Sequence, residues 1–249
     1  MIRLRPRRRG EREAVEWLDT GEASRREILE SYRELELVNR WLGGHRATFD
    51  AMERSGALPP GPSGRGAPLR VLDVAGGAGG FARRFLEWGR ARGLPVRVTL
   101  VDLEPLALAS VRGNRGVRPI RADALALPFA DRAVEIAHCS TFLHHLSVLH
   151  ARDLLAEMCR VSRSLVVVND LVRSWVAYAG IWTLTRALGG GRLVRHDGPL
   201  SVLKAFAPEE LRAIAGSVFE SEEFRWTLER TFPYRMCLLG ARVGDPAPG

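Results

Sequence analysis

A ten-residue stretch, Val71-Leu72-Asp73-Val74-Ala75-Gly76-Gly77-Ala78-Gly79-Gly80, sets the strongest limit on what this chain can fold into. An apolar strand runs straight into a glycine-rich turn, and a helical pattern begins at once behind it. Glycine lets the backbone pass close to a ligand where a β-carbon would collide, and the following helix N-terminus offers N–H groups without intrahelical partners. Strand, turn and helix in that order are a nucleotide-binding signal.

From Leu69 onward short apolar runs alternate with helical ones. They predict strands at 70–75, 97–102, 118–121, 134–139 and 164–169, and helices near 80–92, 105–113, 148–160 and 173–188. Such alternation implies a parallel sheet with right-handed crossovers. The C-terminal part differs: a helix opens at Pro208, and two strands at 218–227 and 231–243 are joined by a tight turn. The expected fold is therefore α/β, a mostly parallel Rossmann-like sheet ending in an antiparallel hairpin.

Ahead of the sheet, Ser24 and Glu27 have capping-box spacing, and Ile28, Tyr32, Leu35, Val38 and Leu42 share one face of a helix over 24–42. Gly43-Gly44 breaks it, and a second short helix runs through Phe49 and Met52. Residues 57–68 are rich in turn formers and read as a linker. The expected organisation is an N-terminal helical lid over 1–56, that linker, and a main domain over 69–243.

Gly77, Gly79 and Ala82 also fit the dinucleotide fingerprint, so the glycine turn alone leaves an NAD-binding domain open. Three acids tilt the choice. Asp73 lies inside the first strand, where it can receive an amino group or order the loop. Asp102 ends the second strand, 23 residues beyond Gly79, placed to accept from both ribose hydroxyls. Asp123, in Arg121-Ala122-Asp123-Ala124-Leu125, ends the third and can accept from an adenine amino group.

These segments resemble the motifs of class I methyltransferases dependent on S-adenosylmethionine (SAM), over about residues 69–243. The Leu-Asp-Val-Ala-Gly-Gly-Ala-Gly form is similar to the ubiquinone/menaquinone C-methyltransferase branch, in which alanine commonly replaces the first glycine. The resemblance implies SAM as cofactor, S-adenosylhomocysteine as product, and no metal. It places Asp73, Ala75, Gly76, Gly77 and Gly79 against the methionine part and Asp102 on the ribose. Leu103 would lie on the adenine ring, Asp123 and Ala124 on its edge, and Ser140 near the sulfonium.

Methyl transfer mainly requires donor and acceptor to be aligned and water shed; a base is needed only if the acceptor starts protonated. Nucleobase amine methyltransferases usually carry an Asn/Asp-Pro-Pro-aromatic run after the fourth strand. This chain has Ser140-Thr141-Phe142-Leu143-His144-His145-Leu146-Ser147 instead, which argues against nucleic-acid bases. Leu143-His144 with Ser147 also resembles the Leu-His-Asp-Trp-Ser run of plant-type phenol O-methyltransferases, in which the histidine is the general base. His144 is thus a candidate base; packing at a helix start is the alternative for it and for His145. His138 faces the strand interior and reads as structural, and His150 as a surface helix residue.

The insertion at 170–208 is where this family builds its acceptor pocket. Arg173, Trp175, Tyr178, Trp182 and His196 are the candidate acceptor contacts, large and aromatic enough for a flat or lipophilic acceptor. His196 beside Asp197 in a glycine-proline loop is the second candidate base. The expected function is O-methylation of a phenol or quinol, with quinone-type C-methylation as the alternative. An RNA-modifying methyltransferase and a non-catalytic SAM-binding module are further readings.

Composition narrows the partners. The net charge is +8, but of 37 basic residues Lys204 is the only lysine, which looks like coding bias. The one dense cluster, Arg3, Arg5, Arg7, Arg8 and Arg9, reads as a frayed tail, so nucleic acid is not an expected partner. Cys139, Cys159 and Cys237 lack metal or redox spacing and read as reduced core residues, and no signal peptide is visible. The apolar stretch Trp175–Thr185 is too short to span a bilayer and has to be buried elsewhere. A cytoplasmic protein, monomeric or oligomeric, is expected.

Overall fold

The computed structural model describes residues 5–10, 13–41, 43–56, 58 and 67–244. Seven strands form one sheet in the order β3-β2-β1-β4-β5-β7-β6. They are β1 (Leu69–Val74), β2 (Val96–Asp102), β3 (Val117–Arg121), β4 (Val134–Ser140), β5 (Ser162–Leu171), β6 (Phe224–Thr231) and β7 (Arg235–Arg242). β1 to β5 run parallel, whereas β7 is antiparallel to β5 and to β6.

The order follows from burial. Successive strand residues point to opposite faces, so a strand covered on both sides must be apolar throughout. Leu165, Val166, Val167 and Val168 are such a run, all buried, and β5 lies inside the sheet. Leu72, Val74, Ala137, Cys139, Val166 and Val168 face α5 (Val148–Val161) and α8 (Pro208–Phe219). Val71, Leu100, Ile136, Leu165 and Val167 face α2 (Gly44–Arg54) and α3 (Gly80–Ala91). The parity puts Asp73 and His138 on this second face, deep beneath α3.

The remaining helices are α1 (Arg25–Trp41), α4 (Pro105–Val111), α6 (Trp175–Ala187) and α7 (Arg192–Lys204). At the start of α1 the predicted capping box forms: Ser24 N donates to Glu27 Oε2 at 2.9 Å and Glu27 N to Ser24 Oγ at 3.3 Å. Gly43, at φ +65°, separates α1 from α2. Leu42 and most of the expected linker lie outside the described residues.

Three expectations need correction. Residues 195–200 are not a loop but the middle of α7, with Pro199 inside the helix. The Gly-Pro pair is a local breaker signal, but Leu193, Val194, Val202 and Leu203 are buried along this segment and outweigh it. The last hairpin starts at Phe224, because residues 218–219 complete α8. The arginine-rich start is not a frayed tail where described. Arg8 donates to Leu146 O at 2.7 Å and Lys204 O at 2.8 Å, with its guanidinium 3.8 Å from the Phe206 ring centre.

The apolar helix α6 does not find the burial expected of it. Thr185 is its only buried residue, and Trp175 and Trp182 are 49% and 44% exposed. The three cysteines are free and buried as expected. Burial pushes the Cys237 thiol up to about 12, so it carries no thiolate at neutral pH.

Candidate active site

The glycine turn closes over the C-terminal ends of β1 and β2. Gly79 sits at φ +72°, where a side chain is strained, and hands over to α3. At Gly76 an added β-carbon would lie 2.7 Å from Leu100 Cγ and 2.8 Å from Asp73 Oδ2, so only glycine fits between the strands. Ala75 is at φ +52°, a conformation that costs an L-residue on the order of 1 kcal/mol.

Asp102 ties the two strand ends together. Its Oδ2 accepts from Gly77 N at 2.8 Å and its Oδ1 from Glu104 N at 2.9 Å. Burial raises the Asp102 carboxyl above its ordinary value, and the backbone donors only partly oppose that rise. Leu103, next in the chain, is 57% exposed. Asp123 is also exposed and accepts from Leu125 N at 2.9 Å, with Ala124 buried beside it. Ser140 ends β4, half-buried, and pairs in register with Asn169.

Beneath the turn, Asp73 Oδ1 lies 2.9 Å from His138 Nδ1, and His138 stacks on Phe81 at 3.4 Å. Burial holds the His138 imidazole below its ordinary value despite the adjacent carboxylate, so the ring is neutral at pH 7 and donates from Nδ1. The other oxygen, Asp73 Oδ2, is buried with no hydrogen-bond partner among the described residues. A buried carboxylate oxygen without a donor is costly. The ammonium end of SAM is a donor of the right kind, so the residues present fit that cofactor.

The N-terminal helices add Glu36, which the sequence did not single out. Glu36 of α1 stands so close to Gly80 that an added β-carbon there would collide with its carboxylate. Its Oε2 is 3.2 Å from His45 Nε2 on α2. Burial raises the Glu36 carboxyl, but the His45 ring and nearby arginines outweigh it and hold it below the ordinary range. α2 is anchored from below: Asn169 Nδ2 donates to Gly44 O and Thr48 Oγ1, both at 2.8 Å. Arg235, pushed down to about 10 by burial, donates to Asn169 Oδ1 and to Asn39 Oδ1.

Past β4, the short 3-10 turn Leu143–His145 presents the two histidines. Asp170, at the end of β5, accepts from His144 N at 2.8 Å and holds His144 Nδ1 at 2.7 Å. Burial raises the Asp170 carboxyl, but His144 and the backbone donors together keep it below its ordinary value. His144 is 3% exposed, and among the described residues its Nε2 has no hydrogen-bond partner; Glu16 Oε1 lies 3.9 Å away. Glu16 comes from the N-terminal segment and is held by Lys204 Nζ at 3.2 Å and Ser201 Oγ at 3.0 Å. His145 Nε2 is 3.6 Å from Glu16 Oε2. Glu16, His144 and His145 offer ligand atoms within 4.8 Å of one another, so they could grip a cation only where the Lys204 ammonium gives way.

The expected acceptor residues divide. Tyr178, Trp182 and His196 line a cavity of about 560 Å³ together with Trp17, Leu200 and Leu203. His196 stacks flat on Trp17 at 3.9 Å and its Nδ1 is 2.7 Å from Asp197 Oδ1. Arg173 is not there. It is buried, donating to Ala205 O and to both oxygens of Glu210, and so pins the end of β5 to α8. Trp175 lies outside the cavity, edge-on to Tyr178 at 6.1 Å.

A sheet of this order, with the glycine turn after β1 and an acid at the end of β2, is the class I methyltransferase fold. Residues 71–164 match the family described as a methyltransferase domain. An uncharacterized methyltransferase of Mycobacteroides abscessus is 34% identical over 135 residues, covering 50% of this chain and 48% of that protein. The ubiquinone/menaquinone biosynthesis C-methyltransferase of Stutzerimonas stutzeri is 35% identical over 101 residues, 37% of each chain. Human N-acetylserotonin methyltransferase, solved in complex with SAM, superposes with a TM-score of 0.58 at 14% identity, over 88% of this chain and 56% of that one. The chain spans about half the length of the first curated relatives it matches.

Proposed function

We propose that the chain is a SAM-dependent methyltransferase acting on a small aromatic or lipophilic acceptor by O-methylation of a phenol or quinol, with His144 as general base. SAM, when bound, supplies a methyl group already activated by its sulfonium. Asp102 would accept from the ribose hydroxyls, Leu103 would cover the adenine, Asp123 and Ala124 its edge, and Asp73 Oδ2 would take the ammonium. The tight turn at Ala75, Gly76, Gly77 and Gly79 would lie along the methionine part, with Ser140 beside it.

The observation that carries the base assignment is the pairing of His144 with Asp170. A carboxylate on Nδ1 fixes the tautomer, leaving the Nε2 lone pair free to take a proton. Once protonated, the ring would stand between Asp170 and Glu16. The buried Nε2 means that the acceptor reaches it only as the segment carrying Glu16 yields. That makes the described residues 5–10 and 13–41 the moving part of the proposed lid and α2 its fixed base.

His144→Ala should lose about 10²- to 10⁴-fold in turnover at neutral pH while affinity for S-adenosylhomocysteine holds. A large defect in His196→Ala beside a near-normal His144→Ala would move the base to the cavity wall. C-methylation is the second reading, favoured by the similarity to the C-methyltransferase of Stutzerimonas stutzeri. A product methylated at carbon would put it first.

A further inference from the structure

The cavity between α6, α7 and the N-terminal segment has a wall chemistry that the methyltransferase reading does not require. Arg9, Arg186, Arg192 and Arg195 all line it, and among the described residues no acidic side chain does. The neighbouring acids are already engaged. Glu27 holds Arg192 at 3.1 Å, while Asp197 accepts from Trp17 N, Leu18 N and His196. Among the described residues Arg9, Arg186 and Arg195 have no carboxylate partner. Like charges gathered around a concavity repel one another and concentrate anions there.

The same wall is flat and apolar elsewhere. Trp17 and His196 are stacked within 3° of parallel, and the Arg186 guanidinium lies 4.1 Å from the centre of the Trp182 ring. Tyr178, Pro199, Leu200 and Leu203 complete the lining. The volume of about 560 Å³ suits one small molecule. α6, which supplies Tyr178 and Trp182 to the wall, leaves Trp175 and Val176 exposed, and the exposed Leu188 follows its end.

We propose that this cavity binds an amphiphilic anion, a flat or apolar body carrying a carboxylate or phosphate group. Guanidinium groups grip either anion with paired, charge-assisted hydrogen bonds, while the stacked rings take the apolar body. Resting on the methyltransferase reading, this anion is the acceptor. Glu16, which faces the histidine pair, is the chain neighbour of Trp17, which faces the cavity, so one segment of backbone separates them.

The test uses the full chain and calorimetry with 2-naphthoate, its neutral counterpart 2-naphthamide, and S-adenosylhomocysteine. The acid should bind at least about 10-fold more tightly than the amide, and Arg195→Gln should remove most of that margin with homocysteine-product affinity unchanged. Added salt should narrow it as well. Co-sedimentation with phosphatidylglycerol against phosphatidylcholine vesicles separates the sources. Retention on the anionic vesicles that 2-naphthoate relieves marks a lipid headgroup, and naphthoate binding without retention marks a soluble acid.

Equal affinity for acid and amide overturns the proposal. So does binding of neither combined with no preference for anionic vesicles, and so does an acid margin untouched in Arg195→Gln. A protein that binds the naphthoate but not S-adenosylhomocysteine keeps the anion site and loses the methyltransferase reading.

Discussion

Replacing Asp170 by asparagine probes the proposed base without touching it. The carboxylate accepts three N–H groups, from the His144 ring, His144 N and Leu171 N, at 2.7, 2.8 and 2.7 Å. An amide has one oxygen for these donors and turns its NH₂ toward the rest. With the oxygen left on His144 N, the NH₂ faces Nδ1, and the ring can answer only by moving its proton to Nε2. That tautomer cannot take a proton from an acceptor. With the oxygen left on the ring, the NH₂ opposes His144 N–H, which costs about 1–3 kcal/mol as a buried unsatisfied pair.

Turnover of a phenolic acceptor should therefore fall by roughly 10²- to 10⁴-fold at pH 7, the range that general-base catalysis contributes. The defect should shrink as pH approaches the phenol's own pKa near ~10, where the acceptor ionises unaided. Steady-state turnover from pH 6 to 10, with calorimetry of S-adenosylhomocysteine on the same samples, reads both parts. A variant with normal turnover at pH 7, or with a defect that stays constant across that range, refutes the reasoning. Asp170 itself does not titrate in this window. Its folded-state pKa is depressed, so the stability it contributes is present above its unfolded value near ~4 and is lost as pH falls through the lower folded one.

Asp102→Ala should weaken S-adenosylhomocysteine binding severely by calorimetry, because the ribose loses a charged bidentate acceptor; unchanged affinity, with NAD bound by the unmodified protein, would sink the SAM assignment. Phe85, fully buried between α3 and the sheet, should cost about 3–5 kcal/mol when cut to alanine, read by denaturant unfolding. Hydrogen exchange should show α1 gaining protection when cofactor product and acceptor are both present, while α2, held by Asn169, changes little; equal protection with and without ligands would make α1 a fixed cover. Chelation with EDTA should leave turnover unchanged, and a loss restored by zinc would instead make Glu16, His144 and His145 ligands.

How much of this could be read from the chain depends on how local each signal is. The glycine turn and the strand ends carrying Asp73, Asp102 and Asp123 were legible because strand period and turn chemistry act over a few neighbouring residues. The parity that buries Leu72 and Val74 against α5 also sends Asp73 under α3, so its pairing with His138 follows from two local patterns. α7 was not legible, since Gly198-Pro199 signals a break and only packing against the rest of the fold overrides it. Glu36 over Gly80 and Glu16 between Lys204 and the histidines were also hidden, because each contact joins segments far apart in sequence.

One long-range feature did leave a trace. In a chain whose other basic residues are all arginine, a single lysine at 204 stands out, and the structure buries it to 3% beside Glu16 and His145. An ammonium is compact and can sit between a carboxylate and an imidazole, whereas the broad guanidinium fork demands several acceptors in one plane. A coding bias that converts lysine to arginine everywhere else would be resisted at such a position. Lys204→Arg should therefore disturb turnover more than its conserved charge suggests, and Lys204→Met should leave the buried Glu16 charge without its counter-ion. If both variants turn over normally and unfold at the same denaturant midpoint as the parent, the lone lysine is an accident of composition and Glu16 needs no partner.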